Sequence, residues 1–333
     1  MIKKIFLICF VFFTFFARAN QKDGDFSIIF FYKGEILPDY IFYEIYQTRL
    51  FNKTCPIFLI ANLDVYKKSK LSKIKNLNIT FIDCQKLRKN KKHVKFNKIC
   101  KARGVKNYYT ERFFYIEALM KKYNLKHVFH IECDVMLYVD LSTLLPVFKK
   151  YYPGIAAVFQ NDILGSVGFL YFASYKSIAK FTQFIVTSYT ALMCNYIDMY
   201  LLGGYRCITD QYDVDHLPMV PKEYTNKKMC SKIGESTRTP ELYCNHIEEF
   251  NSLFDADYLG IHLNKKHPLG DMARQVLYNA DDFSFIWKKD EEGRSIPYMI
   301  YENKSYRINT LHVYHKNLRD FVSLVPQKNS NST

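Results

Sequence analysis

Four short apolar runs constrain the fold more than any other feature of this chain. They are Phe26–Tyr32 (FSIIFFY), Pro56–Ala61 (PIFLIA), Ile79–Ile82 and Lys126–Ile131 (KHVFHI). Each is continuous rather than alternating, so it suits a strand covered on both faces. Segments of helical spacing lie between them. Ile41, Ile45 and Leu50 roughly share a face within Pro38–Phe51, and Phe113, Ile116 and Met120 do so within Thr110–Tyr123. Strands alternating with helices predict an α/β fold with mainly parallel pairing. The same reading predicts helices at 141–151 and 176–191 and strands at 156–160, 167–173, 284–287 and 298–301. The stretch from Asn195 to Asp281 has weak periodicity. No repeat and no Pro/Gly/Ser linker divides the 333 residues. One large domain with two halves is therefore expected, residues 20–150 and 151–325, followed by a polar tail at 326–333.

Glycine is scarce, at 12 residues. No three glycines fit G-x-G-x-x-G, and no pair fits G-x-x-x-x-G-K-[ST]. A dinucleotide fingerprint and a P-loop are both excluded, so phosphates must be held without a glycine cradle. Apolar residues at 49% exclude a mainly disordered chain.

The net charge of +15 first suggests nucleic acid, but 36 of the 47 basic residues are Lys, and Arg is the side chain suited to bidentate contacts. No nucleic-acid partner is expected. Between Gln85 and Lys106 stand ten Lys/Arg and no acid. That segment reads either as a solvated Lys-rich surface loop or as a docking site for an anionic surface or glycan.

The N-terminus reads as a secretory signal over residues 1–19. Lys3 and Lys4 precede an apolar run, Ile5–Phe16, and Ala17-Arg18-Ala19 is an A-x-A-type cleavage site. The run is shorter than the roughly 20 residues that span a bilayer. Export through the secretory pathway is expected, with membrane proximity if the segment stays uncleaved. Eight Cys would remain, at 55, 84, 100, 133, 194, 207, 230 and 244. Disulfides are permitted, but their pairing is not deducible. No CxxC or Cys/His zinc spacing occurs, and four N-x-[ST] sequons start at Asn52, Asn78, Asn303 and Asn331.

The sharpest chemical signal is FHIECDVMLYVDL, residues 129–141. An apolar strand ends in Glu132-Cys133-Asp134. On an extended strand two side chains two apart share a face, with Cα atoms roughly 6.5 Å apart. Two hard oxygen ligands at the carboxyl end of a buried strand suit Mg²⁺ or Mn²⁺, and ligands bind at that edge of α/β sheets. The competing reading makes them ordinary loop acids capping the next helix. Asp140 supplies a third acid nearby, and Cys133 points the other way as a buried thiol.

Other positions carry two readings each. His312 and His315 face opposite sides of a strand, so only one can join a metal, and Lys316 is a point-charge phosphate binder. All three could equally lie on a basic surface tail. Asp255 sits among Leu253 and Phe254, which suits sugar-hydroxyl binding or general-base work, or an N-cap on the segment that follows. Asp210 and Gln211 form a second candidate pair, and Asp198 a weaker one.

The strand–acid–x–acid arrangement resembles the DxD motif of GT-A-fold glycosyltransferases, here as Glu-x-Asp. The resemblance covers most of the chain. It takes in the helix start Thr110–Phe114, the glycine-containing strand Gly165–Phe172, Phe250–Ala256 and Leu311–Lys316. The last two segments resemble one little-characterised branch, from which Asp257, Tyr258, Ile261, His262, Tyr314 and His315 depart. The resemblance implies a Rossmann-like, mixed, mainly parallel sheet flanked by helices. It implies that Asp134 ligates Mn²⁺ or Mg²⁺ directly, that Glu132 meets the ribose or the metal through water, that His312 completes the metal site and that Lys316 meets a diphosphate. Gly168 falls in a sugar-site strand. Arg112 either approaches the donor nucleotide or is an exposed helix residue. The implied activity is metal-dependent transfer of a sugar from a nucleoside-diphosphate donor to a glycan, protein or lipid acceptor, with Asp255 or Asp210 positioning or deprotonating the acceptor. The rival expectation is a secreted glycan-binding or host-interaction protein on a degenerate scaffold of the same fold. A glycosidase fits less well, because both acids point the same way from one strand.

Overall fold

The computed structural model describes residues 26–87, 89–105, 107–191, 197–210, 213–227, 229–232, 234, 236–264 and 275–324. The expected signal segment, Cys194, Gln211 and the polar tail lie outside them. The four apolar runs form β1 (Ser27–Tyr32), β2 (Ile57–Ala61), β3 (Thr80–Asp83) and β4 (Val128–Ile131). Every residue of β2 and β4 is buried, as strands covered on both faces require. The covering helices of this part are α1 (Tyr40–Phe51), α2 (Lys68–Lys75), α3 (Lys91–Ala102) and α4 (Tyr108–Tyr123).

The chain continues through β5 (Val135–Leu137), α5 (Leu141–Tyr151), β6 (Ile155–Asn161), β7 (Leu164–Phe172), α6 (Tyr175–Ala191), α7 (Asp198–Ile208) and β8 (Val214–His216). The main sheet has the order β3-β2-β1-β4-β7-β6-β8. Four of its six pairings are parallel, and the two made by β7 are antiparallel. This is the mixed, mainly parallel sheet flanked by helices that the sequence leads one to expect. β7 comes from the second half of the chain and pairs with β4 from the first, so the halves share one sheet.

Beyond β8 come α8 (Lys222–Thr225), α9 (Ile247–Phe250), β9 (Ser252–Leu253), α10 (Leu259–Leu263), β10 (Ser284–Lys289), β11 (Ser295–Tyr301), β12 (Lys304–Ile308) and β13 (Thr310–His312). Strands β10, β11, β12 and β9 form a second sheet in that order. β13 instead pairs antiparallel with β5, setting His312 opposite Val135. The Val313 N–H extends this ladder by donating to the Asp134 carbonyl at 2.8 Å. That two-stranded ribbon brings the C-terminal histidine to the acid pair.

One expectation needs correction. The Lys-rich segment is not a loop: α3 runs through it, with His93, Phe96 and Cys100 buried on one face. The Asn90 side chain caps it by accepting from the His93 N–H at 2.8 Å, and Phe96 stacks on Phe114. Three buried side chains at i, i+3 and i+7 suffice to dock a helix whose opposite face is lysine. The seven described cysteines are all free, and Cys133 is buried with its thiol 3.5 Å from the Phe31 carbonyl.

Candidate metal and phosphate site

The site forms where β1 and β4 end at the carboxyl edge of the sheet. Beyond Ile131 the chain makes a tight turn rather than staying extended. The Glu132 N–H donates to Gly168 O at 2.9 Å, and the Val135 N–H donates back to Glu132 O at 3.1 Å. The turn, rather than strand alternation, brings Glu132 and Asp134 together. With His312 they offer three ligand atoms within 4.8 Å of one another. The cleft in front of the acids has a volume of about 410 Å³. Tyr32, Tyr40, Tyr108 and Tyr109 wall it, and Lys33 and Lys316 supply positive charge.

His312 is the most buried member of the cluster. It is 8% exposed. Its Nδ1 lies 2.7 Å from Asp257 Oδ1, and its Nε2 lies 3.4 Å from Asp134 Oδ1. Burial alone would depress the imidazole, but these two carboxylates hold its pKa well above the ordinary value. Burial likewise pushes Asp134 up, and His312 and Lys316 outweigh it, so Asp134 stays below its usual range. Glu132 is raised, by burial first and by Asp134, against the opposing pull of Arg112.

Arg112 is not an exposed helix residue. It is 4% exposed, and it projects from α4 to pair with Glu132 through Nη1 and with Asp198 Oδ2 through Nη2 at 2.5 Å. The weak candidate Asp198, the first residue of α7, therefore belongs to the site as the anchor of Arg112. Lys316 has a left-handed backbone (φ 61°), and its ammonium lies 5.3 Å from the Tyr40 ring centre at the cleft wall. Gly168 is needed for clearance. A Cβ there would sit 3.0 Å from Val135 Cγ2, 3.1 Å from Asp257 Oδ1 and 3.5 Å from His312 Nδ1.

The two residues offered as acceptor bases take other places. Asp255 is buried and accepts four backbone N–H groups. Those of Tyr258 and Leu259 reach Oδ1, and those of Gly260 and His312 reach Oδ2. From outside α10, whose N-cap residue is Tyr258, it satisfies the N–H groups at the helix start, and it is the clamp that holds β13, with its oxygens already engaged. Asp210 lies at the opposite edge of the sheet. It precedes β8, whose first residue Val214 pairs with Ile155. Ile155 pairs with Phe172, and Phe172 with Val128 at the start of β4, whereas Glu132 follows its end. Asp140 caps α5, its carboxylate accepting from the Ser142 N–H at 2.9 Å.

One site residue was not singled out for a role. Asp257, 3% exposed, accepts from the Ser166 hydroxyl at 2.7 Å as well as contacting His312. The available signal was a second acid within the apolar stretch Leu253–Leu259.

No protein-family model matches the chain, and no curated protein matches it. Among solved structures it is similar to the PaToxG glycosyltransferase, at 14% identity over 55% of this chain and 68% of that one, with a TM-score of 0.40. Mouse xyloside xylosyltransferase 1 in its apo form matches at 9% identity over 66% and 94%, TM-score 0.41. A cytidylyltransferase of Leptospira borgpetersenii matches at 8% over 58% and 76%, TM-score 0.38. Likeness at these identities and scores bears on neither substrate nor mechanism.

Proposed function

We propose that the protein is a divalent-cation-dependent glycosyltransferase, moving a sugar from a nucleoside-diphosphate donor onto a glycan, protein or lipid acceptor. One observation carries this reading: Glu132, Asp134 and His312 converge within 4.8 Å on a cleft lined by tyrosines and Lys316.

The donor set suits Mn²⁺ or Mg²⁺. Two carboxylates and one imidazole are ligands such ions accept, with substrate phosphate completing the shell. The first His312 nitrogen is committed to Asp257, leaving Nε2 on the Asp134 side. Asp134, His312 and Glu132 would hold the ion. When bound, it would act as a Lewis acid that neutralises charge developing on the leaving diphosphate.

The remaining work falls to the chain itself. Lys316 offers an exposed ammonium to phosphate oxygens at the cleft rim, where a positive side chain stabilises a departing anion. Arg112 fixes the Glu132 carboxylate and opposes its protonation, because a buried guanidinium stands against it. The tyrosines give flat apolar walls for the donor's base and sugar. The first half of the chain supplies Arg112, Glu132 and Asp134, and the second supplies His312 and Lys316. With Asp255 engaged in capping and Asp210 at the far edge, the acceptor is positioned by other groups.

A thermal-shift screen with UDP, GDP and CDP, each with and without Mn²⁺, tests the proposal. A nucleotide that stabilises only when Mn²⁺ is present supports it. No stabilisation by any pair sinks it and favours the glycan-binding alternative. We also propose that residues 1–19 direct export. N-terminal sequencing of the secreted chain should begin at Asn20, and retention of Met1 in the mature protein would contradict this.

A further inference from the structure

We infer that Asp257 is the positioning residue of the cation site, setting which nitrogen of His312 faces the ion; this role rests on the cation reading above. A neutral imidazole carries one N–H and one lone pair, and its neighbours decide which nitrogen bears which. Asp257 Oδ1 is an acceptor 2.7 Å from His312 Nδ1. A cation must take the place of one imidazole proton, and the Asp257 acceptor would keep the other on Nδ1, leaving Nε2, 3.4 Å from Asp134 Oδ1, to face the ion.

The carboxylate is itself fixed. The Gly168 N–H donates to Ser166 Oγ at 3.3 Å, which orients the hydroxyl so that its own proton goes to Asp257 Oδ1 at 2.7 Å. Gln160 Nε2 donates to Oδ2 at 3.4 Å. Two further observations separate this from ordinary packing. Asp257 has φ 63°, a left-handed backbone that costs an L-residue and persists where surroundings hold it. Gly168 leaves a gap that a single methyl group would fill, against both Asp257 and His312. A strained, buried acid and a glycine notch together mould one imidazole orientation. Carboxylates that orient metal-binding histidines typically change metal affinity about 10- to 100-fold when removed.

The test compares Asp257→Gly, Asp257→Asn and Ser166→Ala by calorimetric titration with MnCl₂ alone, alongside thermal melts. Glycine suits the left-handed backbone, so Asp257→Gly should fold without strain yet bind Mn²⁺ about 10- to 100-fold more weakly. Asparagine keeps an oxygen acceptor for Nδ1–H and should recover most of that loss, and Ser166→Ala should fall between wild type and Asp257→Gly. If folded Asp257→Gly binds Mn²⁺ as wild type does, or if asparagine is no better than glycine, the positioning role is overturned while the cation site stands. If the wild-type chain binds no Mn²⁺, the cation reading fails, and this role with it.

Discussion

His312 stands between two carboxylates, with Nδ1 2.7 Å from Asp257 Oδ1 and Nε2 3.4 Å from Asp134 Oδ1. The β13–β5 ribbon sets this bridge. Its backbone anchor is separate from its side-chain partners, because the His312 N–H donates to Asp255 Oδ2 at 2.9 Å. Replacing His312 by Ala should therefore leave β13 in place while weakening Mn²⁺ binding more than about 100-fold, beyond the range for losing an orienting group alone. Calorimetric titration with MnCl₂ checks this, with circular dichroism confirming the fold.

Arg112 compensates two acids, Glu132 and Asp198. Arg112→Met would leave the buried Asp198 and the half-buried Glu132 without their counter-charge, and removing one partner of a buried pair costs up to about 3–5 kcal/mol. The triple change Arg112→Met, Glu132→Gln, Asp198→Asn should recover most of that loss. Urea unfolding of the two variants gives the comparison. A single variant as stable as wild type would show that the pairing carries no weight.

Gly168→Ala should destabilise by about 1–3 kcal/mol, because its methyl group meets Val135 and Asp257 at 3.0–3.1 Å in a packed site. Gly204 in α7 is the control, since a Cβ there meets only Phe184 at 3.6 Å. Gly204→Ala should be neutral or stabilising by up to about 1 kcal/mol through helix propensity. Thermal melts of both variants should move in these different senses.

Acid sensitivity has an identifiable source beside the cleft. Burial raises the Glu111 carboxyl, but His93 Nε2 at 2.9 Å and Lys33 Nζ at 2.5 Å outweigh it and hold the pKa down at about 2, against 4.5 ordinarily. A carboxyl depressed in the folded state stabilises above its unfolded value and loses that contribution as pH falls through the folded one. Glu111→Gln should therefore cost on the order of 2 kcal/mol at pH 7. The gap to wild type should narrow below pH 4.5 and close near pH 2. Melts across pH 2–7 measure it, and a gap that does not change with pH would contradict the assignment.

The sheet and the acid pair were legible because they are local. Continuous apolar runs mark buried strands, and two acids following such a run stand out. His312 and Lys316 could be named as candidates, but their meeting with Asp134 depends on β13 pairing with β5, a contact between distant segments that no periodicity encodes. Asp255 had two honest readings, and only the positions of four N–H groups choose between them. Asp210 was misplaced because the antiparallel insertion of β7 decides which loops reach which edge. Asp257 escaped assignment because its partner is remote in sequence and its left-handed backbone is invisible in composition. Lysines concealed α3, whose three buried side chains are a small fraction of the segment.

The central claim is that Glu132, Asp134 and His312 form one cation site, and titrating MnCl₂ into the wild type and into Asp134→Asn tests it most directly. The expected result is a single saturable site in the wild type that is lost in a variant with an unchanged circular dichroism spectrum. Equal Mn²⁺ binding by both proteins would contradict it.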